Sequence, residues 1–414
     1  MNLDALIVGA GFSGSVIARL LAENTKQKIL VIDSRDHIGG NCYDYVNKFG
    51  IRISKYGAHL FHTTRQDVWN FISAFGSWEP WEHRVLAKIY PRDDSDEFAY
   101  APVPICIQTI QKLYDSSVQN EEDMRRWLVE ETRSIEFQAP FKNSMESAVA
   151  RFGHRIYNDF FHSYTLKQWD KSPEHLDASV LERIPLRYNM DDRYFTDPIQ
   201  MLPSCGYTGV FQELLNHPQI EVRLNTDYFQ ERHCFNGVNF TVFTGPIDGY
   251  FASRGLDRLE YRSLRFEEDT FEMGDKDTVM QPASVVNEPS MRVPYTRTVE
   301  FKQFLNQRST HTTLVREYSS SHGDPYYPVP NERNTKLYAT YQQLAEKETE
   351  KERRTVLFLG RLANYKYLNM DQAIGNVLDH WQRWIKDGVI ETHDVNVGSM
   401  KSPLVAKDTY TQTH

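Results

Sequence analysis

Arginine and tyrosine fall close together at several separate points of this chain. Arg183 precedes Ile184-Pro185-Leu186-Arg187, and Arg297 follows Pro294-Tyr295-Thr296. Tyr326 and Tyr327 sit in Asp324-Pro325-Tyr326-Tyr327-Pro328, while Arg361 and Tyr367 share the stretch from Gly360 to Leu368. Guanidinium forks and phenolic hydroxyls are the groups that grip a diphosphate. A local cluster of them would be needed here, because a formal net charge of −9 gives no global attraction for an anion. The segment Phe160-Phe161-His162-Ser163-Tyr164-Thr165-Leu166-Lys167-Gln168-Trp169 places four aromatic rings in ten residues. Two uses compete for it. One is a helix face buried in a core; the other is a platform for a nucleobase, worth about 1–3 kcal/mol per stacked ring. His59 and His62 stand three apart in Tyr56-Gly57-Ala58-His59-Leu60-Phe61-His62-Thr63. They make a poor metal pair, since no third and fourth ligand accompanies them. A place beside a cofactor or in the core suits them better, and no metal is expected.

Near the N-terminus, Gly9-Ala10-Gly11-Phe12-Ser13-Gly14 lies between the apolar run Ala5-Leu6-Ile7-Val8 and a stretch, Ser15 to Glu23, with Ile17, Leu20 and Leu21 at helical spacing. In such a unit the first glycine permits a tight turn and the second lets backbone approach a pyrophosphate. The third lets the helix pack on the sheet, with its N-terminus facing the negative charge. Asp33 closes the next apolar run, Ile29 to Ile32, where a carboxylate accepts hydrogen bonds from ribose hydroxyls. Ser34 and Arg35 complete that side of the expected site. Gly39-Gly40-Asn41, just beyond, resembles the extended FAD signature of amine-oxidase-like flavoproteins, so FAD is expected rather than NAD. Far along the chain, Gly360-Arg361 followed by Met370-Asp371-Gln372-Ala373 reads like the helix start that caps flavin phosphate and ribityl groups. Asp371 would equally serve as a plain helix N-cap.

These residues need elements to bring them together. A chain of 414 residues has room for two or three domains with buried cores. From about Ile107 to Ile184 the pattern is helical, with Glu121 to Thr132 and Ser144 to Tyr157 the clearest helices. Strand-like runs return at Ile220 to Arg223 and Asn239 to Phe243, and a β-rich section spans Tyr261 to Tyr318. Val356 to Gly360 reads as another buried strand, followed by a helix from Asp371 to Asp387. The charge run Glu346 to Arg354 reads as a solvated helix face, and the tail after Val397 as loosely ordered. Net acidity argues against nucleic acid or an anionic membrane as the main partner. No run of 18 apolar residues is present to insert into a bilayer, and the apolar stretch near Met1 lacks the basic start and cleavage site of a signal peptide. Cys42, Cys106, Cys205 and Cys234 lack CxxC spacing, which fits a reducing cytoplasm rather than a zinc site or disulfide framework.

Taken in order, GAGFSG, Gly39-Gly40-Asn41, YGAHLFHT, YTLKQW, RIPLRYNMDDRYF, Cys205-Gly206-Tyr207-Thr208, FTGPIDGYF, YRSLRFE, PYTRTVEFK, DPYYPVP and GRLANYKYLNMD resemble the UDP-galactopyranose mutase family. The resemblance runs from Asp4 to about Leu378. It implies an α/β fold: a discontinuous Rossmann-like FAD-binding domain (1–80, 200–250 and 330–414), a helical domain (105–195), and an antiparallel β-sheet domain (81–104 and 251–329). It also implies a homodimer and a nucleotide-sugar substrate. Reduced FAD, primed by NAD(P)H, would act through N5 as nucleophile on the anomeric carbon of a UDP-hexopyranose, giving the UDP-hexofuranose without net redox change. Carried over by motif, Arg183 and Arg297 would grip the diphosphate, helped by the hydroxyls of Tyr194, Tyr327 and Tyr367. Phe160, Phe161, Tyr164, Thr165, Trp169 and Asn287 would hold the uridine, and His59 and His62 would lie by the flavin.

Three positions depart from the family pattern. Asn369 stands two places after Tyr367, where the family carries an acid. His83 stands in Trp81-Glu82-His83-Arg84-Val85, where an asparagine near the sugar is common, and Cys106 takes an asparagine position in YAPVPICI. The nucleotide side is kept and the sugar side altered. A modified sugar is therefore an open alternative, either UDP-N-acetylgalactosamine or a dTDP-linked deoxyhexose such as fucose, although repacking can absorb such changes. Two readings of other classes also stay open. An amine-oxidase-like FAD oxidoreductase shares the loop but has no use for Arg183 and Arg297 together, and a non-catalytic nucleotide-sugar binder is encouraged by Asn369.

Overall fold

Ala5–Val8, Ile29–Ile32 and Phe240–Phe243 are short apolar runs without alternation, so both of their faces must be covered, as in the middle of a parallel sheet. The computed structural model describes residues 3–91, 95–352 and 355–392. In it five strands pair in the order Ile220–Arg223, Ile29–Ile32, Ala5–Val8, Phe240–Phe243, Thr355–Phe358, every pairing parallel. The chain leaves Ala5–Val8 toward Ile29–Ile32 on one side and returns as Phe240–Phe243 on the other. At such a switch a doubly wound sheet opens a crevice beyond its strand ends, and Gly9 lies there.

The Phe12–Asn24 helix and the Met370–Lys386 helix pack together over one face, joining Val16, Ile17, Leu20 and Leu21 to Ile374, Val377, Leu378 and Trp381 in one core. Full burial of each such side chain contributes about 1.5–3 kcal/mol. The opposite face is covered by Tyr228, Phe235, Tyr250, Phe251 and Tyr341.

A second sheet of seven strands runs Tyr327–Pro328, Tyr261–Glu272, His311–Ser320, Arg297–Glu300, Val285–Asn287, Val85–Ile89, Ala99–Val103. Its pairings are antiparallel except one, for Val85–Ile89 lies parallel to Val285–Asn287. A small third sheet joins Phe61–Thr63, Ile199–Pro203 and Trp78–Pro80. The helices Glu121–Thr132 and Ser144–Ile156 pack on each other and share one core with the seven-stranded sheet. Asn120 and Asn143 cap them, accepting from the N–H groups of Asp123 and Glu146 at 3.0 and 2.9 Å. The second helix ends one residue earlier than its pattern indicates and passes through a π-type turn, Tyr157–His162, into the Ser163–Trp169 helix.

One sequence expectation fails inside the Glu332–Glu352 helix. Glu348 does not face water: it is 3% exposed and is held by Arg232, Arg254 and the Tyr250 hydroxyl. A carboxylate can be buried when cations and donors surround it, and a run of charges conceals which member does so. Arg353, Arg354 and the tail after Val397 lie outside the described residues. Among the described residues no helix is long and apolar enough to cross a membrane.

Candidate active site

Contact enforces the glycines at the centre of the parallel sheet. Gly9 has φ +108°, and a Cβ there would lie 2.0 Å from Thr244 Oγ1; a Cβ on Gly14 would lie 1.9 Å from the Gly9 carbonyl oxygen. The second glycine turn closes over the first, since a Cβ on Gly40 would sit 3.0 Å from Gly11 Cα. Gly39 N–H donates to Ala10 O at 2.9 Å across the same junction. Gly360 arrives from the far end of the chain, where an added Cβ would meet Ser13 Oγ at 2.6 Å. Three motifs remote in sequence thus share one backbone cradle.

Asp33 ties that cradle to its strand, accepting from Ala10 N–H at 2.8 Å and Arg35 N–H at 2.9 Å. Arg35 reaches Asn41 Oδ1 and Asp324 Oδ2, both at 3.0 Å, with its guanidinium 4.4 Å above the Tyr56 ring. Ser34 is exposed beside them. Phe12 packs on Phe211 at 4.5 Å, and Met370 is buried in the same core. Asp371, in the first turn of the Met370–Lys386 helix, has a buried Oδ1 without a partner. Burial raises its carboxyl above the ordinary range, with nearby His62 pulling the other way. A cradle that admits no Cβ, helix N-termini and an unpaired buried acceptor are what the pyrophosphate and ribityl hydroxyls of FAD require. The residues present fit that cofactor.

Three guanidinium groups from distant segments surround Tyr367. Arg183, just past the short Ser179–Glu182 helix, lies 4.8 Å from the centre of its ring, and Arg361 lies 5.1 Å from it. Tyr327 stacks on the same ring at 5.5 Å. Arg361 is aimed by donating from Nε to Leu368 O at 3.0 Å. Burial alone would push the Tyr367 hydroxyl up, but the fields of Arg183, Arg361 and Arg297 outweigh it and hold it below the usual phenol value. Burial and the neighbouring Tyr367 push Tyr327 up to about 12 instead. Tyr367 is 39% exposed, so solvent reaches the edge of this group of charges.

Arg297 begins the Arg297–Glu300 strand, opposite Asn287 on one side and Glu317 on the other. Its Nε donates to Glu317 Oε2 at 2.5 Å. Burial would lower its pKa, but Glu317, Tyr164 and Tyr327 raise it well above the ordinary value, so Arg297 is permanently charged. Glu317 Oε1 has no partner and lies against the Gly57 backbone. Tyr164, on the Ser163–Trp169 helix, feels both Arg297 and Arg183. Tyr194 lies near Arg183, and its N–H donates to His83 O at 2.6 Å.

Two histidines of this region, His59 and His83, are kept neutral. Burial pushes His59 down to about 4, opposed by its bond to Gly57 O at 2.8 Å and assisted by Arg361 and Arg297. A bond to a carbonyl places the proton on Nδ1, so Nε2 is left as an acceptor. His59 lines a cavity of 240 Å³ together with Leu202, Tyr207 and Phe304. His83, 3% exposed with Nδ1 unpartnered, is pushed down to about 3 by burial, then by Arg297 and His62. His62 bonds Asp197 at 3.1 Å and stacks on Phe195 at 3.6 Å.

Phe160, Phe161 and Trp169 sit in the hydrophobic core beside Phe152 and Ile156, and Thr165 is buried too. Within their segment, Tyr164 is the ring that senses the arginines. Cys106 is the N-cap residue of the Ile107–Leu113 helix, and Asn369 holds the same position on the Met370–Lys386 helix, where its N–H donates to Gln372 Oε1 at 3.0 Å. Sequence reasoning missed Glu317, Asp197 and Phe195. For Glu317 a signal existed: it alternates with Thr313 and Val315 along one strand, so a carboxylate falls on the buried face.

A family model described as UDP-galactopyranose mutase matches residues 159–367, a span that holds Arg183, Arg297, Tyr327, Arg361 and Tyr367. A model of an NAD(P)-binding Rossmann-like domain matches residues 7–75. The chain is 37% identical over 391 residues to dTDP-fucopyranose mutase of Escherichia coli, covering 92% of this chain and 98% of that one. The chain belongs to the UDP-galactopyranose mutase family. A further relative, the probable UDP-galactopyranose mutase of Klebsiella pneumoniae, is 36% identical, with 91% of this chain and 93% of that one covered. The crystal structure of a reduced UDP-galactopyranose mutase has the same fold, with a TM-score of 0.70, 17% identity, and coverage of 94% and 95% of the two chains. As a member of the UDP-galactopyranose mutase family the chain is an isomerase, and that membership together with its Rossmann-like domain implies FAD.

Proposed function

We propose that this chain interconverts the pyranose and furanose forms of a nucleotide hexose, UDP-galactopyranose or a close analogue. The observation that carries the reading is the convergence of Arg183, Arg297 and Arg361 around Tyr367, close to a neutral His59. Reduced FAD, when bound, supplies the nucleophile for the anomeric carbon. The chain does the rest. Arg297, fixed through Nε by Glu317, turns its outer face to the diphosphate and stabilises the charge that develops as the nucleotide leaves. Arg183 takes the other phosphate with the hydroxyls of Tyr327, Tyr367 and Tyr194. Tyr164, Thr165 and Asn287 orient the base, backed by Phe160, Phe161 and Trp169, which holds the departed nucleotide for the return step. His59 accepts a hydrogen bond at Nε2 without adding charge beside the cofactor, and Asp371 with Asn41 and Asp33 holds the FAD hydroxyls.

On this reading NAD(P)H only primes the flavin, the protein works in the cytoplasm as a homodimer, and the chain divides into the FAD, helical and sheet domains set out above. A second reading, the same ring contraction on a modified sugar, is favoured by the buried His83 with its unpartnered Nδ1 and by the E. coli dTDP-fucopyranose mutase among the relatives. Furanose formation should be measured on UDP-galactopyranose, UDP-N-acetylgalactosamine and dTDP-fucopyranose with catalytic amounts of reductant. Conversion of one of them identifies the sugar. Conversion of none, or reductant consumed mole for mole with product, would overturn the proposal.

A further inference from the structure

The turn that joins Asn287 to Arg297 is wrapped around a lysine from another part of the chain. Asn287 and Arg297 face one another across the hairpin, and Glu288 N–H donates to Thr296 O at 2.8 Å to close it. Inside sits Lys167 Nζ, which donates to Glu288 O at 2.5 Å, Ser290 O at 2.8 Å, Tyr295 O at 2.8 Å and Val293 O at 3.2 Å. An ammonium has three protons, so four carbonyls share them. Inward-turned carbonyls must find a donor somewhere; here one cation serves the whole turn, as a metal ion would. Burial pushes Lys167 down to about 8, with Glu288 opposing.

Lys167 belongs to the Ser163–Trp169 helix, which also carries Tyr164. The next residue, Gln168, is clamped as well: its carbonyl accepts from Arg262 Nε at 2.9 Å and Ser319 Oγ at 2.5 Å. Ser319 lies two residues along the strand from Glu317, the partner of Arg297. We infer that Lys167 is a positioning residue, which sets Arg297 and Asn287 relative to Tyr164 so that the base side and phosphate side of the site form one rigid unit. Its effect on turnover rests on the function proposed above; its effect on the turn does not.

The test compares Lys167→Met and Lys167→Arg with the parent holoenzyme. In Lys167→Met, amide hydrogen exchange over residues 288–296 should rise by about tenfold or more, the factor set by ~1.4 kcal/mol of lost protection. Flavin content and exchange in the Phe12–Asn24 helix should hold. The kcat should fall roughly 10- to 100-fold with a smaller change in KM, as for a lost transition-state contact, and Lys167→Arg should recover part of it. Because Lys167 acts in part through Arg297, adding Lys167→Met to Arg297→Ala should slow turnover by clearly less than Lys167→Met slows the parent. Unchanged exchange in the turn, or losses that multiply in the double variant, would overturn the inference. Should Lys167→Met not fold, exchange in Lys167→Arg decides, faster than the parent in support and equal to it against. If the parent converts no nucleotide sugar, the proposed function fails while the exchange measurement still rules on Lys167.

Discussion

The glycine cradle and the arginine cluster both suit phosphate groups, but by opposite means. The cradle uses neutral backbone: contacts too close for a Cβ at Gly9, Gly14 and Gly40, and a helix N-terminus behind them. Most of it comes from the first 41 residues. The cluster uses full charges, brought from Arg183, Arg297 and Arg361 and each aimed by a bond or ring of its own. Shape suits a cofactor that stays. Charge suits a nucleotide that must be bound, parted from its sugar and taken back, because a guanidinium responds to the charge that develops on the leaving oxygen.

Breaking one region should therefore spare the other. The largest effect is expected from Arg297→Ala: furanose formation should fall by about 10²–10³ or more, with flavin content unchanged in the purified protein. A parallel loss of flavin would erase the distinction. Next comes the uncharged border between the regions. His59 and His83, at about 4 and about 3, lie below the 6.5 of free imidazole, so the folded chain binds fewer protons than the unfolded chain between those values. Their contribution to stability is complete above pH 6.5 and is lost as pH falls toward the folded values. His83→Gln should thus lose less urea resistance than the parent between about pH 7 and about pH 4.5, by roughly 2 kcal/mol. Gly40→Ala tests the cradle. A side chain at φ +54° facing Gly11 costs about 1–2 kcal/mol, so flavin absorbance per protein should drop about tenfold at limiting FAD, and added FAD should restore turnover. The smallest change is Tyr367→Phe, where losing one hydroxyl near Arg183 should weaken UDP binding several-fold, about 1 kcal/mol by calorimetry, and leave flavin retention alone.

The same contrast decides what the sequence could show. GxGxxG, Asp33 and the Gly39-Gly40 turn are legible because each glycine answers a local steric demand. Arg183, Arg297, Arg361, Tyr327 and Tyr367 are legible as motif members, yet nothing in their spacing says that they meet at one ring; only the strand order does that. Glu317 looks like a surface carboxylate until its burial is known, and Glu348 is misread for the same reason, whereas Asp197, partly exposed, shows only through its bond to His62. The Phe160–Trp169 segment shows both outcomes, most rings going to the core while Tyr164 turns to the arginines. The parallel seam between Val85–Ile89 and Val285–Asn287 is a pairing across some 200 positions, and no turn signal marks it.

Arg183, Arg297 and Arg361 bring more positive charge to Tyr367 than Glu317 offsets, and the excess repels itself. Folding holds them together against that repulsion, so whatever neutralises them feeds back on the melting temperature through linkage. UDP and inorganic pyrophosphate should each raise the melting temperature well above what uridine achieves, and plain salt should supply part of the gain by screening. Heat resistance thereby becomes a gauge of occupancy. A melting series with UDP and dTDP would rank the nucleotides before any sugar is turned over.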